Sequence, residues 1–347
     1  VLVDSPPEQR AETAPAPPTR RAIRAVGLLV SVVILVLVAL ASIAIGAKEL
    51  PLDQVWHGLF HDSGTYADVV VGERRSRTVL GLLVGAALGL SGAVLQALTR
   101  NPLADPGLLG INAGASAAVV TAITYFGVTT LSGYVWFAFF GAAAVGALVW
   151  FLGGSRGATP VRLALAGTAI SAALYGYLQA VMIMDDAALG KMRFWTVGSL
   201  ASATDSMIMQ VLPFLVIGTV LALALARPLN AMAMGDDTAR ALGANLNRTR
   251  ALSMAAATVL CGAATAACGP IVFVGLMVPH VVRSFTGPDL RWILPYATVL
   301  SPVLLLGADV VGRIVARPAE LQVGIVTAII GGPVFIYLVR RRRTAQL

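Results

Sequence analysis

Residues 79–110 read VLGLLVGAALGLSGAVLQALTRNPLADPGLLG, and this stretch decides the class of fold. Its first 20 residues, 79–98, carry no charge and are rich in Gly and Ala. As a helix they would extend about 30 Å, the thickness of the hydrocarbon core of a bilayer. Pro102 and Pro106 then interrupt any helix. The stretch therefore predicts a transmembrane helix followed by a break.

The break allows two interpretations. Asn101, Asp105 and Asn112 place polar groups beside the two prolines. Irregular backbone at membrane depth is tolerated only where it is buried in protein or lines a wet cavity. The alternative is an ordinary cytoplasmic turn that contains two prolines, and the local sequence does not choose between them.

The composition of the whole chain agrees with a membrane protein. Of the 347 residues, 57% are hydrophobic and only 12% are charged, about half the charged fraction of a soluble protein. The net charge of +8 comes almost entirely from arginines scattered between apolar blocks. Bilayer orientation explains such scattered charges better than a nucleic-acid surface, which needs a basic patch. We expect one multi-span membrane domain and no nucleic-acid partner.

Ten apolar blocks, separated by charges or by Gly and Pro, can be counted along the chain. The first is long enough to span, whereas the apolar core of a cleaved signal peptide, the alternative here, has roughly 7–15 residues. The eighth is short enough to be partly re-entrant. The blocks cover approximately residues 26–47, 79–98, 108–127, 134–152, 163–184, 207–226, 251–267, 271–282, 293–311 and 324–339.

These blocks set the domain organisation. Residues 1–25 contain five prolines and no apolar periodicity, so we predict a disordered cytoplasmic tail. Residues 26–340 form the transmembrane domain, and residues 341–347 a basic cytoplasmic tail. The fold class is therefore all-α integral membrane, with about ten transmembrane helices.

The distribution of basic residues predicts that both termini face the cytoplasm. With the N-terminus inside, 17 of the 25 basic residues fall on the cytoplasmic side, which is the asymmetry of the positive-inside rule. The inside set is Arg10, Arg20, Arg21, Arg24, Arg100, Arg156, Arg162, Arg227, Arg240, Arg248, Arg250, Arg283, Arg291 and Arg340 to Arg343. The outside set is Lys48, Arg74, Arg75, Arg77, Lys191, Arg193, Arg313 and Arg317.

A second broken segment occupies residues 269–283, GPIVFVGLMVPHVVR. A Gly-Ala pair precedes each broken segment by about ten residues, at Gly92 and at Gly262, and the two segments run in opposite directions in the proposed topology. This is a weak indication of an inverted repeat, an architecture common in transporters.

The longest predicted cytoplasmic connection covers residues 230–250, and within it residues 235–243, GDDTARALG, predict a short helix. Asp236 and Asp237 suit its N-terminal end, and Gly243 is a natural stop. Ala239 and Leu242 would form a small apolar face with no evident partner in the chain. Such a helix suits the groove of another protein, and a solvated loop is the alternative.

Catalytic and metal-binding patterns are missing from the sequence. His57 and His61 share a helical face but have no third ligand, so an amphipathic surface helix is preferred to a metal site. Cys261 and Cys268 lie two helical turns apart, too far for a disulfide, and we interpret them as packing residues. The one Gly-Lys pair ends at Lys191 and is followed by Met rather than Ser or Thr, so no P-loop is present. Any ATP hydrolysis must come from a partner.

Several long motifs resemble the iron-siderophore and cobalamin permeases of type II ABC importers, the FecCD-type family. They are residues 83–116, residues 235–250 (GDDTARALGANLNRTR), residues 269–283, residues 307–339 (GADVVGRIVARPAELQVGIVTAIIGGPVFIYLV) and residues 194–200 (FWTVGSL). The motifs occur in the family's order, and the resemblance covers about residues 30–340.

The resemblance implies an assembly and its contact sites. Two permease chains enclose the path, a cytoplasmic ABC ATPase dimer binds ATP and Mg, and an extracytoplasmic substrate-binding protein delivers the cargo; no cofactor is expected on this chain. The helix received by the ATPase would comprise Gly235, Asp236, Asp237, Ala239, Arg240, Leu242 and Gly243. Acidic residues of the binding protein would dock on Arg74, Arg77 and Arg313, with Arg75 and Arg317 nearby; anchoring of helix ends at lipid headgroups is the alternative role.

One position departs from the family pattern. Where the family has Arg-x-Pro-Arg, this chain has Arg74-Arg75-Ser76-Arg77, so we expect a loosened local turn and leave open which arginine points outward.

The leading hypothesis is a cytoplasmic-membrane permease subunit, without enzymatic activity of its own, that moves ferric siderophore by alternating access. Cobalamin or haem are alternative cargoes, and homodimeric and heterodimeric permease pairs both remain open. An ion-driven secondary transporter would need buried acids, of which Asp309 is the candidate, although a structural hydrogen bond is an equally good role for it. An intramembrane enzyme lacks a catalytic set.

Overall fold

A computed structural model describes residues 20–60, 64–154 and 160–343, and every regular element within them is helical. Arg10, His61 and Arg156 lie outside the described residues. The α-helices are α1 (Arg20–Ala44), α2 (Leu52–Phe60), α3 (Tyr66–Leu98), α4 (Ile111–Phe126), α5 (Leu131–Gly154), α6 (Pro160–Met184), α7 (Asp186–Trp195), α8 (Asp205–Ala224), α9 (Ala226–Ala233), α10 (Asp236–Ala241), α11 (Leu246–Cys268), α12 (Val274–Thr286), α13 (Leu290–Val315) and α14 (Val323–Arg343). A short 3-10 helix, Pro106–Leu109, lies between α3 and α4.

Each of the ten predicted apolar blocks falls on one of these helices. In the described part of the chain, seven helices are long and apolar enough to cross a membrane, namely α1, α3, α5, α6, α8, α11 and α13. Helix α4 and the apolar part of α14 are shorter, and α12 has 13 residues, about 20 Å of rise. The all-helical multi-span prediction is confirmed, and ten is an approximate count of the spans.

Both predicted helix breaks are present. After α3 ends at Leu98, the side chain of Asp105 accepts a hydrogen bond of 2.7 Å from the Gly107 amide and caps the 3-10 helix. Gly110, with φ of 76°, then turns the chain into α4. The second break has two residues in the left-handed region, Gly269 and Phe273, before α12 begins.

The two broken regions pack against one another in the centre of the bundle. The Gln96 side chain of α3 donates to the backbone oxygen of Leu276 in α12 at 2.9 Å. The Thr265 hydroxyl of α11 donates to the Asn112 side chain of α4, also at 2.9 Å. The Gln96 amide nitrogen and the Asn112 side-chain oxygen therefore find partners inside the protein, as membrane depth favours. An inverted repeat relating the two regions stays a prediction.

Helix α3 is the central rod, and α1 lies at the periphery. In the most apolar window of α3, 78% of residues are buried, against 11% in α1, whose apolar side chains are largely exposed. Both cysteines are free and buried in α11, as predicted.

The described contacts define two ends of the bundle. At one end, which we call the inner end, Arg100 just beyond α3 meets α10, and Tyr296 of α13 meets the backbone of Arg24. At the other, the outer end, Arg74 near the start of α3 meets the last residues of α1. About 36 Å of helical rise separates Arg74 from Leu98. The names follow the orientation predicted from the basic residues.

Close helix packing generates the first prediction. A Cβ added at Gly92 would lie 1.9 Å from the backbone oxygen of Gly275, so α3 and α12 approach through these glycines. We expect Gly92→Ala to destabilise the protein by about 1–3 kcal/mol or more, because the backbones must separate. Thermal unfolding of the detergent-solubilised permease measures this.

Gly307→Ala is the matched control, since Gly307 also lies inside a helix and no atom lies within 4 Å of the added carbon. Alanine has the higher helix propensity, so this variant should be as stable as the wild type or more so. Equal stability of the two variants would contradict the close-packing account.

Candidate functional sites at the two ends of the bundle

The outer end contains a buried network of ion pairs. Arg77 of α3 binds Asp309 of α13 through two nitrogens, with Nη2 2.7 Å and Nε 3.0 Å from its oxygens. Arg313 also binds Asp309, at 2.9 Å, and Nη1 of Arg77 reaches Glu320 at 2.6 Å. The side chains of Asp309 and Arg313 are 0% and 1% exposed. Buried charges require such pairing, because an isolated buried ion is very costly.

Two arginines of this end also bind the backbone at the C-terminus of α1. Arg74 donates to the oxygens of Ala44 and Lys48, at 3.0 and 2.6 Å. Arg313 donates to the oxygens of Ser42 and Ile45, both at 2.8 Å. The last carbonyls of a helix lack intrahelical partners and carry partial negative charge, so a guanidinium suits them. These arginines fasten α1 to α3 and α13.

The three predicted docking arginines are thus brought together at the outer end, but they are buried. Arg74, Arg77 and Arg313 expose 6%, 9% and 1% of their surface. In contrast, the Arg75 side chain is 59% exposed and lies 3.4 Å from Asp205, and that of Arg317 is 32% exposed and pairs with Glu49. Direct contact of the three buried arginines with a binding protein stays a prediction.

The expected loosened turn at Ser76 is wrong. Residues 74–77 lie inside the continuous helix α3. The Ser76 hydroxyl, which a proline would lack, lies 2.6 Å from an Asp205 oxygen and joins α3 to the start of α8. The helix also settles which arginine of this group points outward, namely Arg75.

The candidate acid for ion coupling, Asp309, is paired with arginines, which indicates a structural role. Both carboxylate oxygens accept from arginines. In the described part of the chain, no group of three or more His, Cys, Asp or Glu residues could hold a metal ion. His57 lies on an amphipathic surface helix, α2, as preferred from the sequence.

A cavity of about 540 Å³ opens near the outer ends of α5, α7 and α11, and sequence reasoning did not anticipate it. Its lining includes Tyr134, Lys191, Trp195, Ser199 and Gln322. The FWTVGSL motif contributes two of these residues, so the motif was a usable signal. The lining combines one cation, two aromatic rings and neutral polar groups with small apolar residues, as is usual in ligand pockets.

The predicted helix at the inner end is present as α10. It begins after Gly235, with φ of 110°, and ends before Gly243, with φ of 81°, as predicted. The Ala244 amide donates to the Ala239 oxygen at 2.9 Å, which closes the helix in a Schellman-type arrangement. The predicted short helix is confirmed, and its docking to a partner stays a prediction.

The predicted apolar face of α10 is divided between the interior and the surface. Ala239 is fully buried in this chain, so the expectation that it lacks an internal partner is wrong. Leu242 is 62% exposed and Met234, just before the helix, 59%. Asp237 and Arg240 are also exposed and pair with each other at 2.9 Å. Leu242, the C-cap of α10, is therefore the large apolar side chain at this helix that a partner can reach.

Ion pairs fasten α10 to the long helices. Asp236 binds Arg100, which follows α3, and Arg250 of α11, the latter at 2.6 Å. Burial alone would raise the pKa of Asp236, but the Arg100 hydrogen bond and the Arg250 charge outweigh it and hold the pKa below its usual value. We call this set the Asp236 clamp. Movement of α10 must therefore displace α3 and α11 or break the clamp.

The preceding helix, α9, is fastened to α13. The Asn230 side chain donates to Asp289 at 2.6 Å and accepts from the Leu290 amide at 2.9 Å. Asp289 is the N-cap of α13. Helices α9 and α10 are thus joined by hydrogen bonds and ion pairs to α11, to α13 and to Arg100 at the end of α3.

The outer network generates the second prediction. We expect Asp309→Ala to destabilise the protein by about 3–5 kcal/mol, because two buried guanidinium groups lose their carboxylate. The detergent-solubilised protein should unfold at a clearly lower temperature. Glu73→Ala removes an exposed carboxylate of α3 at the same end and should change stability by about 0.5 kcal/mol or less. A loss for Asp309→Ala no larger than for this control would contradict the structural role.

Comparisons with known proteins find one family and several relatives that match most of the chain. The chain matches the FecCD transport family over residues 34–341. It is 45% identical over 326 residues to the ferric enterobactin transport system permease protein of Escherichia coli (strain K12), covering 93% of this chain and 96% of that protein. It is 39% identical to an Fe(3+)-citrate import system permease protein of Bacillus subtilis (strain 168), covering 88% and 91%.

A solved structure shows the same fold. A metal-chelate type ABC transporter in an inward-facing conformation superposes with a TM-score of 0.80 at 28% identity, covering 91% of this chain and 99% of that one. With the helical bundle described above, these similarities identify the chain as a member of the FecCD transport family, a multi-pass permease of the cytoplasmic membrane.

Proposed function

We propose that this chain is the permease subunit of an ABC importer that moves a ferric siderophore inward by alternating access. The observation that carries the proposal is the 45% identity to a ferric enterobactin permease over nearly the full length of both chains. Cobalamin or haem is the alternative cargo. The chain performs no covalent chemistry in this proposal.

Energy would come from a partner ATPase dimer that binds ATP and Mg. This chain has no Gly-Lys-Ser/Thr sequence of its own. Helix α10 would occupy a groove on the ATPase, with Leu242 as its apolar contact and Asp237 and Arg240 as polar contacts, all three exposed. Gly235, Asp236, Ala239 and Gly243 would shape and hold the helix rather than touch the ATPase.

The Asp236 clamp supports a route for that energy. When the ATPase subunits close, α10 moves with them, and the bonds from Asp236 to Arg100 and Arg250 carry the displacement to α3 and α11. Helix α3 contacts α8, α11, α12 and α13. A displacement of α3 would therefore shift the packing of these helices at the centre of the bundle. Two permease chains, identical or homologous, would face each other across the path.

The outer end would receive the substrate-binding protein. Arg75 is the exposed cation of the predicted docking group, whereas the internal hydrogen bonds of Arg74, Arg77 and Arg313 would have to open before those three could touch an acidic partner. We therefore assign first contact to Arg75 and propose that Arg74, Arg77 and Arg313 position the surface and engage during docking. Charges at a wet rim steer association more than they add affinity.

Uptake experiments distinguish this function from an ion-driven carrier. In vesicles that contain the permease, the ATPase and the binding protein, we expect uptake of ferric siderophore only when ATP is supplied to the ATPase. Cobalamin and haem are tested in parallel. Uptake that follows an ion gradient and persists without the ATPase would contradict the proposal.

The surface of α10 generates the third prediction. We expect Leu242→Glu to weaken association with the ATPase by about tenfold or more, because a charge replaces the exposed apolar contact in the groove. Pull-down of the ATPase by the membrane-extracted permease measures this. Asn247→Glu, an exposed position at the start of α11, is the control and should bind as the wild type does.

Deleting residues 235–243 should have a stronger effect and uncouple ATP hydrolysis from transport while the spans remain inserted. ATPase association that survives both changes would remove α10 from the coupling role.

The outer cations generate the fourth prediction. We expect Arg75→Glu to slow association with the binding protein several-fold at low salt and to have less effect at high salt, because screening removes long-range attraction. Surface plasmon resonance with the immobilised permease measures the rate. Arg240→Glu makes the same change at the inner end and should leave the rate unaltered.

Reversing Arg74, Arg77 and Arg313 together should also weaken docking. Because all three are buried, that variant needs a check of its unfolding temperature first. Unchanged association at low salt for Arg75→Glu and for a folded triple variant would contradict the docking proposal.

A further inference from the structure

Helix α2, residues Leu52–Phe60, has an apolar arc much wider than its contact with the rest of the protein. At 100° per residue, Val55, Leu59, Leu52, Trp56 and Phe60 follow one another around about 140° of the helix circumference. This breadth is typical of a helix that buries one face.

Helix α3 covers only one edge of this arc. Val55 is 5% exposed, and Gly58 lies against Val71, whose Cβ is 3.1 Å from the position of an added carbon. At the other edge Leu52, Trp56 and Phe60 expose 76%, 66% and 65% of their surface. The Trp56 and Phe60 rings pack on each other with centroids 4.8 Å apart. Two large aromatic rings and a leucine thus form a continuous uncovered strip.

The opposite face of α2 is polar and faces a wet space. Asp53, Gln54 and His57 line a cavity of about 680 Å³, which also includes Lys48 and Glu49. The helix is therefore amphipathic. Its polar face lines an open cavity, and its apolar face carries the uncovered strip.

The depth of α2 along the bundle follows from its neighbours on α3. Arg74 binds the carbonyls of Ile43 and Ala44, so it is level with the end of α1. Helix α2 packs against Asp68 and Val71, three to six residues earlier, which places it about 5–9 Å beyond that end. The headgroup layer extends roughly 5–8 Å beyond each side of the hydrocarbon core. With the end of α1 taken as the edge of the hydrocarbon core, this distance corresponds to the lipid headgroups.

The surface next to α2 is apolar and exposed. Helix α1 contacts α2, and α1 presents exposed apolar side chains from Ile23 to Leu40, over about 26 Å of rise. An apolar helix surface of that length is covered by acyl chains in a membrane protein. The strip on α2 continues this surface at its outer margin, where Trp is enriched in membrane proteins.

We propose that α2 is an interfacial helix that lies in the outer headgroup layer, with Leu52, Trp56 and Phe60 inserted among the upper acyl chains of the lipids. The polar face then meets water. Because α2 is packed on the first turns of α3, this anchoring holds the start of α3, where Arg74 and Arg77 lie, at a fixed depth. The proposal does not depend on which cargo the permease carries.

Spin labels on the full chain in vesicles of phosphatidylethanolamine and phosphatidylglycerol test the proposal. Leu52→Cys and Trp56→Cys label the apolar strip, and Gln54→Cys, on the polar face, is the matched control. The native cysteines are buried, so the unsubstituted protein serves as the blank. Collisions of the label with oxygen, which enriches in lipid, are compared with collisions with a water-soluble nickel complex.

We expect the ratio of oxygen to nickel collisions to be several-fold higher at Leu52→Cys and Trp56→Cys than at Gln54→Cys. Equal ratios at the three positions would overturn the proposal. A ratio typical of water at Leu52→Cys and Trp56→Cys would also overturn the proposal. If collisions with both reagents then decreased when the binding protein was added, the strip would be assigned to protein docking.

Brominated lipids provide a second measurement that needs no label. Lipids brominated near the headgroup should quench the fluorescence of the wild type more than that of Trp56→Phe, because Trp56 is within reach of the bromine atoms. Equal fractional quenching of the two proteins would contradict the proposal.

Discussion

The structure depends on one constraint, which is that a continuous helix, α3, is fastened by arginines at both of its ends. At the outer end Arg74 binds the carbonyls that end α1, and Arg77 binds Asp309 of α13. At the inner end Arg100 binds Asp236 of α10. The guanidinium of Arg74 meets the unpaired carbonyls that end α1, and those of Arg77 and Arg100 meet carboxylates, so each lies against negative charge. A helix held in this way moves as a unit, so a displacement at one end reaches the other.

Close packing joins α3 to its neighbouring helices. Helix α3 approaches α12 through Gly92 and Gly275, and a Cβ added at Gly85 would lie 2.6 Å from the backbone of Pro302 in α13. Membrane helices gain little from apolar contact alone, since lipid is equally apolar, and small residues that allow backbones to approach supply the attraction. The glycines of α3 within residues 79–98 therefore form the packing surface of the central helix.

Much of this was predictable from the sequence, because the physical signals are local. Uncharged runs as long as a bilayer is thick predicted the spans, prolines predicted both breaks, and flanking glycines predicted the limits of α10. The burial of Arg74, Arg77 and Arg313 was not predictable, because it depends on partners in other helices. Arg77 binds Asp309 and Glu320, more than 230 residues further along the chain, and Arg74 and Arg313 bind carbonyls at the end of α1. Likewise, the sequence shows that Ala239 is apolar but not that the chain itself covers it.

The central claim is that the Asp236 clamp passes motion from α10 to the bundle. The most direct test is the number of cargo molecules taken up per ATP hydrolysed, in vesicles with the complete transporter, for Asp236→Asn and Asp237→Asn. Both variants lose one carboxylate charge from the same helix, but only Asp236 is bonded to Arg100 beyond α3 and to Arg250 of α11. Asp237 is an exposed contact that would affect how tightly the ATPase is bound rather than how its motion is passed on. The account predicts that the ratio falls several-fold for Asp236→Asn and stays at the wild-type value for Asp237→Asn; a wild-type ratio in both would contradict it.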